Sequence, residues 1–67
     1  MSGTIEKLHP NGYGFIRHDG RDVFFPAAAV DRSCGTFDTL TLGLAVEFEL
    51  VKDAQGRAQA RRVRVML

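Results

Sequence analysis

The dipeptide Asp19-Gly20 constrains this chain more than any other feature. It stands between two short alternating runs, YGFIRH at 13–18 and DVFF at 22–25. Such a pair specifies a type I′ hairpin turn, because both central positions need positive φ and Asp and Gly tolerate it. The centre of the chain is therefore an antiparallel hairpin.

Alternation extends that reading in both directions. Residues 3–8 (GTIEKL) read as a first strand, ended by the turn cluster His9-Pro10-Asn11-Gly12. Pro26 stops the third strand, since it has no N–H for a ladder. Ala27-Ala28-Ala29 suits one helical turn, and 31–43 reads as a loop of a length that is often functional. Residues 45–51 alternate with Val46, Phe48 and Leu50 inward and Glu47 and Glu49 outward. A turn at Gly56 leads into a last strand, 58–66. Its apolar positions, Ala60 and then Val63 and Val65, slip phase at Arg61-Arg62, which is the mark of a bulge. Five short strands without a substantial helix predict an all-β barrel, because closure removes exposed edges. At 67 residues the chain makes one domain, 1–67, near the size where a single core still suffices without metal or disulfide support.

Several function classes lose support at once. The single cysteine, Cys34, forms no internal disulfide, and His9 and His18 have no thiol pair with zinc spacing. No metal or cofactor is expected. Nor is an enzyme: no spacing gives Cys34 a base, and Ser33 and the Glu47/Glu49 pair read as solvated polar positions. The opening MSGTIEKLHP has no apolar signal core and no stretch reaches membrane-spanning length, so the expectation is a soluble cytoplasmic protein. Net charge is only +1, a weak pointer to nucleic acid, but its distribution is uneven. The closing RAQARRVRVML carries four arginines and no acid, while Glu47, Glu49 and Asp53 precede it. Such a run ordinarily reads as a solvated face.

The rings pose the sharper question. Period-2 alternation puts Tyr13, Phe15 and Arg17 on one face of the second strand, and Gly14, Ile16 and His18 on the other. In the third, Val23 and Phe25 oppose Phe24 and Asp22. Ile16, Val23, Phe25, Val46, Phe48 and Leu50 supply one small core. That leaves Tyr13, Phe15 and Phe24 either as a second buried layer or as an exposed platform whose faces Gly12 and Gly14 keep open. Bases stack on exposed rings whatever their identity, at roughly 1–3 kcal/mol each, while cations follow the phosphates.

Asn11-Gly12-Tyr13-Gly14-Phe15-Ile16 resembles the first ribonucleoprotein motif, K-G-[FY]-G-F-I, of the bacterial cold-shock protein family. Val23-Phe24-Phe25-Pro26-Ala27 is similar to its second, V-F-V-H-F. Gly3-Thr4-Ile5-Glu6-Lys7-Leu8 resembles G-T-V-K-W-F, and Thr36-Phe37-Asp38-Thr39-Leu40 resembles the loop G-F-K-T-L. The likeness runs over essentially the whole chain. It implies a five-stranded antiparallel OB-fold barrel that binds single-stranded RNA or DNA, as an RNA chaperone or regulator in the stress response. The candidate binding residues are Lys7, Tyr13, Phe15, Arg17, Phe24, Phe37 and Arg61. Tyr13, Phe15, Phe24 and Phe37 match family stacking positions.

Other positions depart from the pattern. Lys7 stands where the family has tryptophan, and Pro26 and Ala27 replace its histidine and last phenylalanine. Glu6, Asn11 and Asp38 replace lysines. Losing three stackers at ~1–3 kcal/mol each lowers affinity by at least about two decades unless something compensates. Lys7 remains to meet a phosphate, and Arg17, Arg57, Arg61, Arg62 and Arg64 are candidates for a different cationic track. The expectation is a divergent member with weaker or altered binding. The competing expectation is a protein-interaction or self-association module on the same fold, forming a weak homodimer.

Overall fold

The computed structural model describes residues 1–32 and 35–66; the loop positions Ser33 and Cys34 lie outside the described residues. Five strands form a closed barrel: β1 (Ser2–His9), β2 (Tyr13–His18), β3 (Arg21–Pro26), β4 (Ala45–Lys52) and β5 (Ala58–Val65), in the order β1-β2-β3-β5-β4. The β1–β2, β2–β3, β1–β4 and β4–β5 ladders are antiparallel. A short parallel contact, Phe24 opposite Gln59, closes the barrel between β3 and β5.

The hairpin forms as its turn residues dictate. Asp19 and Gly20 take φ of 53° and 78°, and the β2–β3 ladder runs in unbroken register from Tyr13↔Pro26 to His18↔Arg21. Pro26 does end β3, and Ala27–Ala29 form one 3-10 turn after it. A second such turn, Phe37–Thr39, interrupts the long loop.

Two bulges set the faces. The register of β4 and β5 shifts between Glu47 and Glu49, where Arg62 adopts a φ of 54°, so the bulge expected at Arg61-Arg62 is present. The other is in β1. Ile5 faces Ile16 and Lys7 faces Phe15, which leaves Glu6 as an extra residue with no partner in β2. Strict alternation from Ile5 would turn Lys7 inward. The bulge reverses the phase, so Lys7 and His9 stand exposed while Leu8 packs on the core.

The core contains Ile5, Ile16, Val23, Phe25, Ala29, Leu40, Val46, Phe48, Ala60 and Val63. Two expectations need correction. Leu50 is 39% exposed rather than inward. Its ladder partner is Ala60 on β5, whereas β4 pairs with β1 only through Ala45–Glu47, so no β1 neighbour covers it. Gly14, in turn, does not open a ring face. It is buried on the core side, where an added Cβ would lie 2.9 Å from the Phe25 ring. Only glycine lets Phe25 pack flat against β2.

Candidate nucleic-acid interface

Because β2 and β3 are in register, Phe15 lies directly opposite Phe24, and Tyr13 ends the same row. Their side chains leave the core face to Ile16, Val23 and Phe25, and they meet as a cluster on the outside. Phe24 lies 5.9 Å from Phe15 and 5.7 Å from Tyr13, and Phe15 stands edge-on to Tyr13 at 6.2 Å. All three are half-buried. Edge-to-face contacts of this kind hold rings rigid while leaving part of each face uncovered.

A fourth ring joins them, one that the sequence marks only as part of a turn cluster. His9 lies opposite Tyr13 in the β1–β2 ladder and stacks on it, centroids 4.5 Å apart and planes within 9°. Asn11 N–H donates to His9 Nδ1 at 3.1 Å, which fixes the ring's orientation. The signal was available: Ile5 and Leu8, both apolar and three apart, mark the same kind of phase slip as Ala60 and Val63. Read that way, Lys7 and His9 fall on the ring face.

The remaining site residues separate. Lys7 is Phe15's ladder partner and has no ion pair among the described residues. Arg17 shares the ring face, but its Nε bonds Asp22 Oδ1 at 2.8 Å and lies 3.9 Å from Glu6 Oε1. Arg61 is bound across the sheet to Glu49 at 3.5 Å, in a ladder that also pairs Arg62 with Glu49 and Arg64 with Glu47. Arg57 pairs with Asp53 at 3.4 Å. These contacts are exposed and individually weak, yet each places a negative charge against an arginine and reduces its attraction for phosphate. Phe37 is apart from the ring cluster. It leans on the core ring Phe25 at 6.0 Å and lines a groove of about 530 Å³ with Pro10, Asn11, Gly12 and Ala27. Since Gly12 and Ala27 directly adjoin Tyr13 and Pro26, the groove begins where the ring row ends.

Across the outer face of one OB-like barrel, then, lies a row of rings with one uncommitted lysine. The profile of the 'Cold-shock' DNA-binding domain family matches residues 1–66. The chain belongs to that family. The Drosophila Unr CSD456 structure is similar over 98% of this chain, with 29% sequence identity and a TM-score of 0.77. This chain spans 26% of the length of that one. No curated protein matches its sequence.

As a cold-shock domain, the barrel is a nucleic-acid-binding module, and its departures from the family pattern acquire positions. Pro26 lies opposite Tyr13, and Ala27 N–H donates to Gly12 O at 2.7 Å, so both continue the row without offering a ring. His9 adds one at that same end. Glu6, the bulge residue, brings a carboxylate beside Arg17 where the family pattern carries a lysine. Glu6→Lys should therefore remove one of the two carboxylates beside Arg17, leaving the Asp22 bond, and add a cation. Binding of a short single strand should tighten at low salt, and the slope of log affinity against log salt should steepen by about 0.7–1.4, corresponding to one or two more phosphate contacts. Titrations at three salt concentrations check this.

Proposed function

We propose that this cold-shock domain captures single-stranded RNA or DNA by stacking bases on Tyr13, Phe15 and Phe24, and that it serves as an RNA chaperone. The observation that carries the reading is the row of mutually touching, half-buried rings outside a core that is already filled by Ile16, Val23 and Phe25. A core of this size has no use for them, whereas unpaired bases do.

The mechanism needs no covalent step. A base stacked on a ring is unavailable for pairing, so the bound strand is held melted, and each contact of about 1–3 kcal/mol is weak enough to release. Lys7, beside Phe15, meets a phosphate. His9 covers one face of Tyr13 and carries the platform outward by one ring, which makes up part of what Pro26 and Ala27 lack. The groove at Phe37 continues the path past Tyr13. With Arg17 and Arg61 held by acids, stacking supplies most of the affinity and phosphate attraction little of it.

The direct experiment titrates the protein with short single-stranded DNA and RNA at low and moderate salt, alongside a labelled hairpin whose opening reports melting. Binding with a shallow salt dependence, and hairpin opening at the same protein concentration, are expected. No binding even at low salt, together with a concentration-dependent dimer, would sink the proposal in favour of self-association. Lys7→Trp supplies a further check. It extends the ring row across β1 next to Phe15, so affinity should rise about tenfold, within the range of one added stacking contact. An unchanged affinity means the platform stops at β2.

A further inference from the structure

Beside the ring row is a recess of about 420 Å³ lined by Phe15, Phe24, Asp53, Arg57, Ala58 and Gln59. Its floor is aromatic and its wall polar, a combination that seats a planar group and contacts its edge. β5 brings Gln59 there through the parallel contact in which it faces Phe24. Its neighbour Ala60 fills the core, so alternation turns the carboxamide to the ring side.

The polar groups of the wall are not equally available. Asp53 Oδ1 accepts the backbone N–H of Arg57 and that of Gln55, each at 2.9 Å, and Oδ2 meets Arg57 Nε at 3.4 Å. These bonds, the Arg57 N–H first among them, hold the Asp53 carboxyl below its ordinary value. They close the turn between β4 and β5 and commit Asp53 and part of Arg57 to it. Gln59 is half-buried and makes no side-chain hydrogen bond with another described residue. Its amide is the uncommitted donor and acceptor of the recess.

We propose that Gln59 reads the edge of a base seated on Phe15 and Phe24, and that the base it favours is adenine. The inference rests on the stacking function above. A carboxamide sets a donor and an acceptor side by side, and adenine's N7 and N6–H answer both, whereas the same edge of guanine offers two acceptors. Unpaired cytosine and thymine offer a carboxamide a donor–acceptor pair on their Watson–Crick edges; on the edge that corresponds to adenine N7 and N6–H, the one assigned here to Gln59, each presents only a lone donor or a lone acceptor. A purine also covers more of a ring floor than a pyrimidine.

Equal-length oligo(dA), oligo(dC), oligo(dT) and 7-deaza-oligo(dA) test this against the wild type, Gln59→Leu and Gln59→Glu. Thermal melts of all three proteins confirm that each is folded. The wild type should prefer oligo(dA) about tenfold, the scale of one two-bond base contact, and lose that preference with the 7-deaza strand. Gln59→Leu should bind oligo(dA) and oligo(dC) alike, with the adenine preference gone. Gln59→Glu keeps the size but loses the donor, and should lose the preference too. An adenine preference that survives in Gln59→Leu, or one absent from the wild type, overturns the inference while leaving stacking intact. Wild-type protein that binds none of the strands overturns the stacking function, and this inference with it.

Discussion

Phe25→Ala is expected to unfold the domain. Phe25 is fully buried, packed against Gly14 on one side and Phe37 on another. Removing a buried phenylalanine costs about 3–5 kcal/mol. A chain of this length has a total stability of only about 3–10 kcal/mol on the usual per-residue scale, so the loss consumes much or all of it. Circular dichroism during a thermal melt should show either no cooperative transition or one lowered by tens of degrees. Retention of a near-native melt would mean that Phe25 is not the keystone its burial indicates.

Phe24→Ala, one residue away, should behave in the opposite manner. Phe24 contacts the rings of Phe15 and Tyr13 outside the barrel, and truncating it leaves Ile16, Val23 and Phe25 untouched. The fold should persist. Affinity for a short single strand should fall by about 1–3 kcal/mol, roughly five- to 150-fold. Phe15→Ala should act likewise, and the two losses should not add fully because the rings touch. If either variant unfolded while strand binding by its folded fraction stayed normal, the outer rings would be a second core layer. The paired outcome is the informative one, since it assigns adjacent phenylalanines to different jobs.

The separation of the two faces was legible in the residues alone. Turn chemistry at Asp19-Gly20 fixed the β2–β3 register, and register plus period-2 alternation sorted Phe15 and Phe24 from Ile16 and Phe25. The phase slip from Ala60 to Val63 also disclosed the β5 bulge. What escaped was set by contacts between distant segments. The bulge at Glu6 decides which face Lys7 and His9 occupy, and its mark, Ile5 and Leu8 three apart, is short enough to pass for ordinary alternation. Leu50 alternates with Val46 and Phe48, yet the β1 pairing that would cover it ends before it is reached. Gly14 fits its position because of Phe25, eleven residues on. Least legible was the state of the arginines. Sequence counts four near the end of the chain, and only the β4–β5 ladder and its turn reveal that Glu47, Glu49 and Asp53 stand against them.

With the arginines of β5 set against acids, the proposed binding mode is stacking on the β1–β3 outer face rather than an arginine track on β5. Backbone amide shifts in a two-dimensional NMR titration with a short single strand test it most directly. The account predicts that the largest shifts map to Lys7, His9, Tyr13, Phe15, Phe24 and Gln59, and that Glu47, Arg61, Arg62 and Arg64 move little. Shifts concentrated on the β4–β5 ladder, with the ring row silent, would contradict it.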